Sequence, residues 1–265
     1  MASLRMIRCF FILLISVVPI HTLAAAEDSN PQELRVLTFN IHAGKGLDGK
    51  LDLRRIAEVI NNVKPDLVAL QEVDVKTRRS GKVDQAQTLA KLCNMKSVFG
   101  KAMNYQGGQY GNALLAKNAI ITSNVIEVSN TDTGAEPRSA VGIAVKLKNK
   151  QVVTLISTHW DHRSEKARSQ AAGKLAKIVQ RSKGVVLIAG DLNCELGSKE
   201  MTELDKVVVA PHQEPVNTFP VDNPTRQIDF LLIDRKANWK IKSIKAIDPN
   251  GASDHRPLLA VFELQ

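Results

Sequence analysis

The chain has 265 residues, enough for one large α/β domain with a substantial core. Its 36 Lys and Arg outnumber 27 Asp and Glu, a formal charge of +9, which suits anionic partners such as nucleic acid, phospholipid headgroups or inositol phosphates. Beyond the N-terminal region no segment is apolar for long enough to cross a bilayer, and there is no internal repeat or low-complexity tract.

Met1 to Ala26 reads as a secretory signal. Arg5 and Arg8 open it, Cys9 to Ile20 is apolar but short for a membrane span, and Ala24-Ala25-Ala26 offers small residues for cleavage. The expected organisation is therefore a signal peptide over 1–26 and one catalytic domain over 27–265. The product is expected to be secreted or periplasmic, monomeric and without stable membrane insertion. Cleavage removes two of the 36 basic residues and none of the 27 acidic ones, leaving +7. Cys93 and Cys194 remain, and their spacing gives no reason to pair them.

Leu34 to Ile41 reads as a strand ending at Asn40 and His42. A Gly/Lys loop follows, and Asp52 caps a helix whose Leu53, Ile56, Val59 and Ile60 share one face before Pro65 stops it. Leu67 to Leu70 is a second buried strand that runs into Gln71-Glu72. A polar loop from Val75 to Asp84 carries Lys76, Arg78, Arg79 and Lys82; it could touch a phosphate backbone, although such loops are usually solvated faces. A short helix over Gln85–Cys93 and a Gly-rich loop over Met103–Gly111 are expected next. Strands follow at Asn112–Ala116, Ile120–Val128, Arg138–Leu147 and Gln151–Thr158, the last two joined by the tight turn Lys148-Asn149-Lys150. A helix covers Glu165–Arg181. Val185 to Ala189 is a run of five apolar residues, read as a strand buried on both faces, and it enters Gly190-Asp191-Leu192-Asn193. The remaining strands are Ile228–Ile233, Ile241–Ala246 and Pro257–Glu263. Hairpins mixed with strand–helix–strand units imply two packed sheets with helices outside.

Polar residues collect at the strand ends: Asn40, Glu72, His159 with Asp161, Asp191 with Asn193, Asp229, and Asp254 with His255. Each alone has a structural reading as a turn former, a cap or a core histidine, and Asp229 could pair with Arg226. Their joint placement points instead to chemistry at strand termini. Converging carboxylates repel unless a cation sits among them. Donors limited to Asp, Glu and Asn, with no cysteine set, favour Mg²⁺ or Mn²⁺ over zinc.

The segments Thr38-Phe39-Asn40-Ile41-His42, Gln71-Glu72-Val73, Tyr110-Gly111-Asn112, Ser157-Thr158-His159, Gly190-Asp191-Leu192-Asn193, Gln227-Ile228-Asp229-Phe230 and Ser253-Asp254-His255 resemble the endonuclease/exonuclease/phosphatase superfamily, in its order and across nearly all of the mature chain. That resemblance implies a DNase I-like four-layered α/β sandwich, with two packed mixed sheets flanked by helices, and divalent-metal phosphoester hydrolysis. It implies Glu72 as principal metal ligand, with Asn40 and Asp254 in or beside its shell. Asp191 would activate the attacking water and Asn193 would hold it or a phosphate oxygen. Asp229 would orient His255, His159 would donate from the opposite side, and Arg138 and Asn112 would contact substrate.

Among the superfamily's substrates, nucleic acid leads here. The inositol phosphatases carry Trp-Cys-Asp-Arg where this chain has Pro224-Thr225-Arg226-Gln227-Ile228-Asp229. The aromatic hairpin of bacterial sphingomyelinases has no counterpart, and interleaved aromatics for base stacking are missing as well. A lipid headgroup or small phosphorylated molecule is the alternative. A catalytically silent binding module fits poorly, because every catalytic position is filled.

Overall fold

A computed structural model describes residues 32–129 and 135–264. The expected signal segment lies outside the described residues. Two six-stranded mixed sheets make the body of the fold. The first contains β1 (Glu33–Asn40), β2 (Leu67–Val75), β3 (Lys96–Tyr105), β4 (Gly108–Ala116), β11 (Lys240–Ala246) and β12 (Leu258–Glu263), in the order β11-β12-β1-β2-β4-β3. The second contains β5 (Ile120–Ser129), β6 (Arg138–Lys146), β7 (Val152–His159), β8 (Val185–Asp191), β9 (Val208–Val209) and β10 (Asp229–Asp234), in the order β5-β6-β7-β8-β10-β9.

Each sheet holds one parallel pair, β1–β2 and β7–β8, and each pair is joined by a helical crossover, as parallel strands require. The first crossover is α1 (Leu53–Val63), with Asp52 Oδ1 accepting from Arg54 N–H at its start. The second is α3 (Glu165–Arg181), with Ser164 accepting from Ala167 N–H. The helices α2 (Gln85–Leu92) and the one-turn α4 (Thr202–Asp205) complete the regular structure.

Alternation along the strands assigns their faces. Leu34, Val36, Leu67, Ala69 and Leu114 from the first sheet meet Val141, Ile143, Leu155, Leu187 and Leu231 from the second. The intervening residues Leu37, Phe39, Val68 and Leu70 point outward onto Ile56, Ile60 and Leu89 of α1 and α2. On the far side Ile156, Val186, Ile188 and Phe230 meet Ala171, Leu175 and Val179 of α3. The strands read as unbroken apolar runs because both of their faces are covered. The four-layered sandwich expected from the sequence is thus present. Cys93 lies under α1 and α2, whereas Cys194 lies in the α3 layer, and both thiols are free.

One segment departs from expectation. The Gly-rich stretch Met103–Gly111 is not a loop: it is the tip of the β3–β4 hairpin, turning at Gln106-Gly107. β3 escaped notice because it is an edge strand whose Lys96, Lys101 and Asn104 are exposed, which erases the apolar alternation.

Behind the second sheet, a buried ion pair fastens α3 to the chain that follows β8. Arg168 donates from Nε and Nη2 to Glu200 Oε1 at 3.0 and 2.7 Å, and from Nη1 to Asp161 O at 3.0 Å. Asp161 caps the entry to α3 by accepting from Arg163 and Ser164 N–H, so its place near His159 is structural. Removing one partner of a buried pair typically costs about 3–5 kcal/mol. Glu200→Ala is expected to lower unfolding stability by that amount in denaturant titration. A loss below about 1 kcal/mol would show the pair to be worth no more than a surface one.

Candidate active site

The ends of the two parallel pairs lie at one edge of the sandwich. β1 and β2 deliver Asn40 and Glu72 there, and β7 and β8 deliver His159 and Asp191, which are partners in register. β10 runs antiparallel to β8 and begins with Asp229 opposite Asp191. β12 runs antiparallel to β1, so Asp254 and His255, just before it, arrive at the same end.

Local backbone geometry aims these groups. The β2–β4 register shifts between Leu70 and Val73, and within this bulge Glu72 adopts φ +57°. Such a bulge turns a side chain away from its strand's alternation. At Gly190, with φ +155°, a Cβ would stand 1.8 Å from Thr158 O, so only glycine lets β8 pass this close to β7. Asn193, at φ +50°, donates its backbone N–H to Asp191 Oδ1 at 3.0 Å; asparagine tolerates that left-handed conformation.

Asp191 is the hub. Its Oδ2 accepts from Asn40 Nδ2 at 3.1 Å and lies 3.4 Å from His159 Nε2 and 3.8 Å from His255 Nε2. His255 Nδ1 is 2.9 Å from Asp229 Oδ2, and that same oxygen accepts from the Thr218 hydroxyl at 2.7 Å. Asp229 therefore pairs with His255 and not with Arg226. Burial first, then repulsion from Asp229, raises the Asp191 carboxyl to about 7, against the pull of His255 and the hydrogen bonds from Asn40 and Asn193. Burial opposes charging of His255, yet Asp229 by attraction and hydrogen bond, then Asp191 and Asp254, lift it to about 10. The result is a buried imidazolium between two carboxylates.

His159 is the opposite case. Burial, followed by repulsion from Arg138, His255 and His162, holds it well below the usual histidine range. Arg138 Nη1 is 2.9 Å from its Nδ1. Because a guanidinium can only donate, Nδ1 is the acceptor in that contact. Tyr110, missing from the sequence-derived set, places its hydroxyl 3.4 Å from Arg138 Nη1 and 3.5 Å from His159 Nδ1. Arg138 is buried among these partners and Glu136, 3.4 Å away. Asn193 Nδ2 donates to Trp160 O at 3.1 Å and lies 3.1 Å from His159 Nε2. Asn112 spans the sheets by donating to Ser139 O at 2.7 Å, with its oxygen buried and unpartnered.

Asn40 links the two halves of the site. Its amide oxygen accepts from His42 N–H at 3.1 Å, while its nitrogen donates to Glu72 Oε1 at 3.3 Å as well as to Asp191. Asp254 lies beyond, 3.7 Å from His42 Nδ1, with more than a third of its side chain exposed. Among the described residues, Asp191, Asp229 and His255 offer ligand atoms within 4.8 Å of one another, close enough to hold a metal ion. The adjoining Glu72 and Asp254 add hard oxygen donors, which fit Mg²⁺ or Mn²⁺ chemistry. Thr218 and the bulge at Glu72 were also missed, since neither leaves a pattern in one sequence.

Three comparisons bear on this site. The protein YbhP of Escherichia coli (strain K12) is 25% identical over 245 residues, 87% of this chain and 96% of its own. A 5'-tyrosyl-DNA phosphodiesterase of Caenorhabditis elegans is 29% identical over 180 residues, 63% of this chain and 45% of that protein, so this chain spans less than half of it. The structure of a mannosyl-6-phosphatase from Bacteroides thetaiotaomicron superposes with a TM-score of 0.71 at 16% identity, covering 86% of this chain and 99% of that one. The sequence profile that matches residues 37–255, from within β1 to the last site histidine, settles the family: this chain belongs to the Endonuclease/Exonuclease/phosphatase family.

Proposed function

We propose that this chain, a phosphoester hydrolase by family, is an exported, divalent-metal-dependent phosphodiesterase with nucleic acid as its leading substrate class. One observation carries the chemistry: Asp191, buried at its strand end and with its proton affinity raised by that burial, sets Oδ2 3.4 Å from His159 Nε2 and 3.8 Å from His255 Nε2. A general base works best when it titrates near the operating pH. The diester and nucleic-acid parts draw support from the nematode phosphodiesterase and from the basic balance of the chain. Export rests on the pattern of residues 1–26.

In this reading Asp191 takes the proton of the attacking water, and the backbone N–H of Asn193 fixes the carboxylate for the task. His159 donates to a phosphoryl oxygen, with its Nδ1 held by Arg138. His255, held by Asp229, brings a positive charge to the other side. Glu72 and Asp254, with Asn40 beside them, would hold the divalent cation, which supplies charge neutralisation for the phosphoryl oxygens. The Asp229–His255 bond at 2.9 Å favours that placement, because a cation between those two atoms would have to break it.

Chelation is expected to abolish hydrolysis of bis-p-nitrophenyl phosphate, and Mg²⁺ or Mn²⁺ to restore it. Glu72→Gln should raise the metal concentration needed while the melting temperature holds. Full turnover in excess chelator would overturn the metal assignment. A panel of DNA, RNA, phosphoinositides and sphingomyelin then tests the substrate class, and cleavage of only the lipids would reject nucleic acid.

General-base assistance typically contributes ~10²–10⁴-fold to rate. Asp191→Asn, which keeps volume, is expected to lose at least that much in single-turnover rate at unchanged stability. A variant of near-normal rate would reduce Asp191 to a turn former.

Asp229→Asn and His255→Ala are expected to cause similar rate losses, with a double variant little worse than either, because residues that act as one unit are not additive. Losses that multiply in the double variant would show the two to be independent.

A further inference from the structure

The hairpin at 219–226, beside the catalytic cluster, carries a device that the chemistry above leaves unused. Phe219 and Arg226 are a backbone-bonded pair, with Arg226 N–H donating to Phe219 O at 3.0 Å and Phe219 N–H donating to Arg226 O at 3.1 Å. Directly opposed residues of such a pair project to the same side, and the guanidinium carbon stands 5.4 Å from the Phe219 ring centroid. The same ring lies against His255, with centroids 4.8 Å apart. Arg226, Phe219 and His255 thus form a column leading from solvent to the site. The Arg226 side chain is exposed and makes no hydrogen bond or ion pair among the described residues.

Arg226 lines a cavity of about 140 Å³ together with Glu195, Leu196, Asn217, Thr225 and Gln227. The walls extend the segments that carry the catalytic groups: 195–196 follow Asp191 and Asn193, and 225–227 precede Asp229. The guanidinium has five donors, all unused. Asn217 gives one amide proton to Pro224 O and keeps the other. Glu195, the one acid in this lining, is exposed and unpaired with Arg226, so it leaves the cation uncancelled.

We propose that this cavity is a substrate subsite for a second phosphate, distinct from the one being cleaved, and that Arg226 recognises it. A planar guanidinium fork matches a phosphate in bidentate fashion. Its seat on Phe219 holds it in place before substrate arrives, which reduces the ordering cost of binding. Arg226 is then a specificity determinant, favouring substrates with a neighbouring phosphate over simple esters. The inference rests on the phosphoesterase reading, but binding without turnover tests it separately.

Calorimetric titration in Mg²⁺ provides the test, using two ligand pairs that distinguish the source of the phosphate. These are thymidine 3',5'-bisphosphate against thymidine 5'-monophosphate, and glucose 1,6-bisphosphate against glucose 6-phosphate. A charge-assisted bidentate contact should make the second phosphate tighten binding at least ~10-fold in one pair. Arg226→Gln should erase that gain while the monophosphate affinity holds, and Arg226→Lys should keep part of it. Melting curves confirm that both variants are folded. Equal affinities within both pairs, no binding of either bisphosphate, or a gain that survives Arg226→Gln would each overturn the proposal. Hydrolysis of bis-p-nitrophenyl phosphate by the wild-type chain reports separately on the phosphodiesterase reading.

Discussion

Two carboxylates face each other inside this protein. Asp191 and Asp229 are partners across the β8–β10 ladder, and each is 1% exposed. Such a pair is unfavourable unless a positive charge lies with it, and the surrounding structure supplies that charge. His255 binds Asp229 and faces Asp191, the Thr218 hydroxyl shares the burden on Asp229, and Asn40 and Asn193 donate to Asp191. Even so, Glu72 and Asp254 bring the local count to four carboxylates against one imidazolium. The remaining imbalance is the electrostatic reason why a cation fits this site.

Much of this was legible in the sequence. The buried strands declare themselves as apolar runs because both sheets are covered on both faces, and polar residues stand where those runs begin, end or are interrupted. Asn40, Glu72, His159, Asp191, Asp229 and His255 follow from that contrast alone. What stayed hidden depends on contacts between distant segments. β3 lacks alternation because it lies at an edge. Arg138, a substrate contact by resemblance, is enclosed by Tyr110, His159 and Glu136. Thr218 and Phe219 gain their roles only because a hairpin folds back under Asp229 and His255.

The two sheets contribute unequally and in complementary ways. The first brings the buried Asn40, the half-buried Glu72 and Asp254, and His255. The second brings Asp191, His159 and Asp229, all buried. Groups from both sheets thus meet at one site, each held by its own strand ladder.

Those sheets meet at a seam whose polar stitches include Asn40 to Asp191 at 3.1 Å, Gln71 to Ser157 at 3.1 Å, Asn112 to Ser139 O at 2.7 Å, Ser157 to Leu70 O at 3.1 Å and Ser139 to Gly100 O at 3.2 Å. Between them the gap is filled by side chains such as Val36, Leu114, Val141 and Leu187. The width of that hydrocarbon layer therefore sets how far Glu72 and Asp254 stand from Asp191. A hydrogen bond fades over a few tenths of an ångström, whereas a methyl group more or less in the core shifts the sheets by a comparable distance. Selection on the interior of this enzyme is then partly selection on turnover: a substitution that the fold tolerates can still put its two halves out of register.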